Sequence, residues 1–150
     1  MHDPTQKQRD SDTPVLREQL CFALYTASHH VIRAYRPLLD PLGLTYVQYL
    51  VIIVLREQSP LSVGEMGVHL HLDSGTLTPL LKRMESASLV NRTRDPDDER
   101  RVLVELTEDG EVLGDKAAEI ADNMLCNIDL SRAEAQQLRN RIMALVDTLT

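Results

Sequence analysis

The hydrophobic residues change their spacing in one segment of the chain, and this change limits the fold more than any other feature. Up to residue 88, apolar side chains recur every three or four positions, as in amphipathic helices. After Leu89, the segments LVNRTR and RRVLVELT alternate apolar with polar residues around the polar turn DPDDE, which predicts a two-stranded hairpin. Helical spacing returns after Thr107. The sequence therefore predicts a mainly α-helical protein with one small β-hairpin.

Start and stop signals divide the part before the hairpin into four helices. Thr13 and Pro14 open the first helix, which is predicted over residues 14–36 and should end at Pro37. The second, TYVQYLVIIVLRE, is apolar nearly all round and should be central and buried. A third runs to about Leu70. The capping residues predicted for the second, third and fourth helices are Thr45 with Gln48, Ser62 with Glu65, and either Asp73 or Ser74.

Two more helices are predicted after the hairpin. Thr107 should cap a long helical run that breaks near residues 127–130, and Ser131 with Glu134 is a capping box for a last helix over 132–149. We expect residues 1–12 to form a flexible polar tail and residues 13–150 to form a single domain.

Composition narrows the class of protein. No apolar run approaches the roughly 20 residues that a membrane span needs, and the polar N-terminus has no apolar signal core, so we expect a cytoplasmic protein without a membrane partner. In the cytoplasm a standing disulfide is disfavoured. Cys21 and Cys126 are therefore free thiols, a metal pair or a transient redox pair. The net charge of −7 argues against a basic nucleic-acid coat but permits a local binding surface.

Two helices joined by a tight turn and followed by a hairpin are the layout of a winged helix-turn-helix, whose second helix enters the major groove of DNA. An arginine at the hairpin tip can enter a narrow, A·T-rich minor groove, and Asp98 is placed to hold Arg100 there. The alternative is an ordinary α+β domain with a solvated turn, because the segment from Asp73 to Glu105 contains six basic and seven acidic residues and so has no excess of positive charge. The candidate DNA contacts are Ser74, Thr76, Thr78, Pro79, Lys82, Arg83, Asp98, Arg100 and Arg101.

The segment GTLTPLLKRMESASLVNRTRDPDDERRVLVELTEDG resembles the recognition helix, wing and following helix of the MarR family of repressors. The blocks LCFALYTAS and YRPLLDPLGLTYVQYLV resemble one branch more narrowly, the organic hydroperoxide resistance regulators (OhrR) of the two-cysteine type. The resemblance implies a homodimer in which residues 13–44 and 107–150 dimerise and residues 45–106 form the winged helix-turn-helix. It also implies a palindromic, A·T-rich operator that is released when an organic hydroperoxide, the inducer, oxidises a cysteine.

The same resemblance assigns roles to particular residues. Cys21 matches the reactive cysteine, and Cys126 lies where a resolving cysteine is expected. Tyr35 and Tyr46 match tyrosines that reach the cysteine from the other subunit, and Tyr25 matches a nearby tyrosine that rearranges after oxidation. Phenol hydroxyls that donate hydrogen bonds to sulfur favour the thiolate, which is the form that reacts with peroxides.

Two other functions stay open on the sequence alone. One is a MarR-type repressor that is released by reversible binding of a small lipophilic or phenolic ligand, and the other is a thiol peroxidase. The chain has no CxxC and no general base paired with Cys21 in sequence, so we expect it not to be an enzyme. No cofactor is expected. For the histidines at 29, 30, 69 and 71, a surface or interface position is favoured over metal binding.

Overall fold

The computed structural model describes residues 15–150, and its elements follow the predicted order with one additional strand. The helices are α1 (Leu20–Leu39), α2 (Tyr46–Glu57), α3 (Val63–Leu70), α4 (Ser74–Ser86), α5 (Glu108–Asn127) and α6 (Arg132–Leu149). The strands are β1 (Leu61–Ser62), β2 (Val90–Arg94) and β3 (Val102–Leu106). β3 lies between the other two and is antiparallel to both. The prediction of a mainly helical chain with a small wing is confirmed.

The first helix differs from the predicted one at both ends. Thr13 and Pro14 lie outside the described residues, and α1 begins only at Leu20, after a single 3-10 turn over Leu16–Glu18. The prediction that Pro37 ends the helix is wrong, because α1 continues through it to Leu39. Proline in the last turn removes one backbone hydrogen bond, and the burial of Leu39, which is 1% exposed, offsets that loss.

The strand β1 was not predicted, so the sheet has three strands rather than two. Leu61 pairs with Val104, and Ser62 pairs with Leu103. Two residues are too few to show an alternating pattern in the sequence. We call the β2–β3 hairpin the wing. The pairing fastens the middle of its second strand, β3, to the residues that start α3.

The core is built around α2, as its apolar sequence predicts. Val51, Ile52 and Leu55 of this helix are at most 1% exposed. Met66 of α3, the inner side of α4, and Val90 and Val104 of the sheet complete the main cluster, and α5 adds Ala117, Ile120 and Met124. In contrast, α6 has no buried residue. Among residues 15–150 no single helix is long and apolar enough to cross a membrane; residues 20–42 and 46–57, bent by 75°, meet that criterion only as a pair.

The predicted helix caps are present and fix where the helices start. Thr45, Ser62 and Ser131 each form a complete capping box, and Asp73 rather than Ser74 caps α4, accepting a hydrogen bond from the Thr76 backbone at 2.7 Å. The hydroxyl of Thr107 accepts a hydrogen bond from the Gly110 backbone and donates one to the Ser88 carbonyl. Thr107 therefore starts α5 and ties it to the residues before β2.

Candidate DNA-binding face and redox residues

The helix α4 separates its buried and exposed residues cleanly. Leu77, Leu80, Leu81 and Met84 pack into the core. Of the DNA contacts predicted on this helix, Thr78 is half-buried and the others are exposed: Ser74, Thr76, Pro79, Lys82 and Arg83. Hydroxyl groups near the start of a recognition helix suit contacts with the edges of DNA bases. Basic side chains further along the helix suit contacts with phosphates.

The tip of the wing holds its two adjacent arginines in different ways. Arg100 forms an ion pair with Asp98, Nε to Oδ1 at 3.1 Å, and its side chain remains 91% exposed. The pair predicted from the spacing of these residues is therefore present. The guanidinium of Arg101 lies 3.2 Å from Glu65 Oε2 of α3 and 3.7 Å from Asp95 Oδ2. Arg100 is free to meet a partner, whereas Arg101 is held against the body of the domain.

A groove joins the recognition helix to the wing and brings several predicted contacts together. Its volume is about 450 Å³. Ser74 and Thr78 line one side, and Arg100 and Arg101 line the other; the remaining lining residues are Ser62, Val63, Gly64 and Val102.

The acidic residues that weigh against DNA binding in the sequence are partly neutralised within the fold. Glu85 accepts two hydrogen bonds from the Arg92 guanidinium, at 2.6 and 2.9 Å. Asp95 is paired with Arg101, and Asp98 is paired with Arg100. Among residues 15–150, Lys82 and Arg83 form no ion pair, so their charges are available on the exposed side of α4.

Cys21 lies near the start of α1, one turn before Tyr25, and both side chains are exposed. Tyr25 is 62% exposed and packs its ring against His29 with centroids 4.2 Å apart. Cys126, near the end of α5, is also exposed and free, beside a cavity of about 330 Å³. Among the described residues no group of three or more His, Cys, Asp or Glu side chains could hold a metal ion.

Three tyrosines form a cluster where α1 meets α2. The ring centroids of Tyr35 and Tyr46 are 4.9 Å apart, and Tyr49 lies 5.5 Å from the first and 5.9 Å from the second. Sequence reasoning missed Tyr49, although its position one turn after Tyr46 on an apolar helix was a usable signal. Burial raises the pKa of Tyr35 and Tyr46 above the ordinary value of 10.0, and that of Tyr49 to about 12 with a contribution from the other two phenols. The hydroxyls are therefore protonated at neutral pH and able to donate hydrogen bonds.

The structure does not assemble the predicted thiolate site within one chain. Cys21 and Tyr35 lie 14 residues apart on α1, which is about 21 Å along a helix axis. Tyr25 belongs with Cys21, whereas Tyr35 and Tyr46 belong to the tyrosine cluster.

Comparison with known proteins assigns the family. Residues 33–117 match the family model described as "Transcriptional regulator SarA/Rot". The organic hydroperoxide resistance transcriptional regulator of Bacillus subtilis (strain 168) is 47% identical over 134 residues, which are 89% of this chain and 91% of that protein. The chain belongs to the MarR family, as a transcriptional regulator of the OhrR type. This OhrR-type regulator has the winged helix-turn-helix fold that the sequence predicted.

Solved structures similar to this OhrR-type regulator include two forms of AbfR from Staphylococcus epidermidis. Reduced AbfR bound to DNA matches with a TM-score of 0.76 and 33% identity, over 89% of this chain and 94% of that one. Disulfide-formed AbfR matches with a TM-score of 0.65 and 34% identity, over 87% and 92%. The present chain therefore agrees better with reduced AbfR than with disulfide-formed AbfR.

Proposed function

We propose that this regulator is a homodimeric repressor that senses organic hydroperoxides through Cys21 and leaves its operator when Cys21 is oxidised. The observation that carries the proposal is the exposure of Cys21 and Tyr25 on α1, in a chain 47% identical to a protein named for organic hydroperoxide resistance. Tyr35 and Tyr46 are too far along α1 and α2 to reach Cys21 of their own chain. In a dimer, a second copy supplies them.

Exposed apolar side chains near the two chain ends support dimerisation. Leu16 and Leu20 at the start, and Leu138, Ile142 and Met143 on α6, are between 36% and 61% exposed. Leaving such side chains in water is unfavourable, and a partner's helices would bury them at about 25 cal/mol per Å² of apolar surface. We infer that the segments 13–44 and 107–150 pack against their counterparts.

The proposed sensing reaction is a two-electron oxidation of sulfur. The Cys21 thiolate attacks the terminal oxygen of the hydroperoxide, so that an S–O bond forms and the O–O bond breaks. The alkoxide leaves and takes up a proton to become an alcohol, and the sulfur becomes a sulfenic acid. Phenol hydroxyls of Tyr35 and Tyr46 are protonated donors suited to stabilising the thiolate beforehand, without placing a full positive charge in an apolar seam.

Cys126 is proposed to resolve the sulfenic acid. Attack by its thiol forms a disulfide and releases water. The Cα atoms must then lie within about 7 Å, so an intersubunit bond would pull on α5, which carries Cys126 and begins at the wing. The existence of a disulfide-formed structure of AbfR supports this route. We propose further that the protein is cytoplasmic, acts without enzymatic turnover and binds a palindromic, A·T-rich operator.

The test is a gel shift on a short duplex that the reduced protein selects from a random pool. Cumene hydroperoxide should release the wild-type protein and should not release Cys21→Ser. Cys126→Ser should still react at Cys21, seen as a mass gain of one oxygen, but should give no covalent dimer on a non-reducing gel. Release of Cys21→Ser by the peroxide would exclude the redox proposal.

A second candidate function is release by a small lipophilic or phenolic anion. A cavity of about 340 Å³ beside the tyrosine cluster favours it, with Arg36 available for an anionic group and Ile32 and Leu44 for an apolar ring. Release by salicylate that persists equally in Cys21→Ser would favour this function over the redox one.

A further inference from the structure

Adjacent arginines of the wing have different surroundings, and this difference suggests different roles. The side chain of Arg100 is 91% exposed, whereas that of Arg101 is 45% exposed and is held by two carboxylates. A guanidinium between two carboxylates has its charge largely neutralised, so it is a poor choice for attracting phosphate.

The carboxylate of Glu65 connects three parts of the DNA-binding domain. Its Oε2 accepts hydrogen bonds from the Ser62 backbone N–H at 2.8 Å and from the Ser62 hydroxyl at 2.7 Å, and it lies 3.2 Å from the Arg101 guanidinium. One oxygen atom thus joins the start of α3, the strand β1 and the wing. The Ser62 hydrogen bonds, with a smaller contribution from Arg101, lower the pKa of Glu65, so the carboxylate is ionised at neutral pH.

Arg101 also fixes the loop that carries Arg100. Its carbonyl accepts a hydrogen bond from the Asp95 backbone at 3.0 Å, and its own N–H donates to the Asp98 carbonyl at 2.8 Å. Asp98 in turn holds the Arg100 side chain. Among the described residues, the wing pairs with β1 at only two positions, Leu103 and Val104, and neither is at the tip. Side-chain contacts therefore have a large share in setting the direction of the tip.

We propose that Glu65 and Arg101 form a clamp that sets the angle of the wing on DNA. Arg101 is then a positioning residue, and of the two arginines only Arg100 enters the minor groove of the DNA. The proposal rests on the wing touching DNA, but it is independent of peroxide sensing because every measurement below uses the reduced protein.

The decisive variant is Glu65→Gln, because the two possible roles of Arg101 give opposite signs. Glutamine retains the capping box, so α3 keeps its start, but it removes the nearer of the two carboxylate charges that hold Arg101. If Arg101 bound phosphate directly, deleting a nearby negative charge and freeing the arginine would strengthen DNA binding. A clamp predicts weaker binding, by up to about fivefold, the upper limit expected of a partly exposed ion pair.

The matched control is Glu99→Gln. Glu99 belongs to the same wing, and among the described residues its side chain forms no ion pair. Removing this charge should leave operator affinity unchanged or raise it. Arg100→Gln serves as the reference for a true DNA contact and should weaken binding more than Glu65→Gln does.

Affinity should be measured on the selected duplex at several salt concentrations, with thermal unfolding of each variant to confirm folding. Arg101→Gln should weaken binding without changing the slope of log Kd against log salt, whereas loss of a phosphate contact lowers that slope by about 0.9. The double variant Glu65→Gln/Arg101→Gln should have the same DNA affinity as whichever single variant binds less tightly. Four results would each overturn the clamp. They are tighter DNA binding by Glu65→Gln, a reduced salt slope in Arg101→Gln, losses of affinity that add in the double variant, and unchanged affinity in Arg100→Gln.

Discussion

Two glycines one turn apart in α3 should respond in opposite ways to the same substitution. A Cβ atom on Gly64 would meet nothing within 4 Å. A Cβ atom on Gly67 would lie 2.6 Å from the carbonyl oxygen of Leu72, in the turn that joins α3 to α4. The Gly67 carbonyl also accepts the Leu72 N–H at 3.0 Å, so the turn cannot move away without losing this bond.

The expected magnitudes follow from these contacts. Alanine is favoured over glycine in a helix by about 0.5–1 kcal/mol, and Gly64→Ala should gain that amount at most. Gly67→Ala has the same gain, but relieving a backbone overlap costs about 1–3 kcal/mol. The two variants should therefore differ by about 1–3 kcal/mol in the free energy of unfolding, with Gly67→Ala below the wild type.

The assay is urea unfolding followed by circular dichroism, at one fixed protein concentration because dimerisation contributes to apparent stability. Equal slopes against urea for all three proteins would show that the comparison concerns the same transition. Gly67→Ala as stable as Gly64→Ala would refute the reasoning, since it would mean that the α3–α4 turn adapts without loss.

Three further outcomes are expected. His71 has a left-handed backbone, with φ of 53°, so His71→Gly should stabilise the protein by about 0.5–1 kcal/mol in the same urea assay. Hydrogen bonds from Ser131 lower the pKa of Glu134 below its ordinary 4.5. The ionised group therefore stabilises the fold above pH 4.5, and this contribution is lost as the pH falls through the lowered pKa. Glu134→Gln should flatten the acid side of the plot of stability against pH. The pKa of Tyr49 is raised to about 12, so its contribution is complete below pH 10 and lost as the pH rises toward 12; Tyr49→Phe should remove that alkaline loss and the latest-titrating phenolate absorbance.

The sequence was sufficient where local chemistry decides the structure. The three capping boxes, the wing and the apolar α2 were predicted because a helix start or an alternating strand depends on residues within a few positions of each other. The Asp98–Arg100 pair was predicted for the same reason, as its members are two residues apart.

Features that depend on tertiary contacts were missed. Pro37 was expected to end α1, but the burial of Leu39 in the core carries the helix past it. The strand β1 has two residues and exists only because β3 lies beside it. Glu65 was recognised as a capping residue, but its contact with Arg101 joins positions 36 apart, and no local pattern indicates such a pair.

The junction at Thr107 gives α5 a mechanical role. The helix begins two residues after β3 ends, and Gly110 packs so closely on the Leu89 carbonyl that a Cβ atom would not fit. Twenty residues make a rigid rod about 30 Å long, with Cys126 near its far end. A tilt of only about 5° converts to roughly 2–3 Å of travel across that length, which is comparable to a hydrogen bond. Under the proposed disulfide route, a small displacement of Cys126 would therefore tilt α5 and shift the wing at its other end.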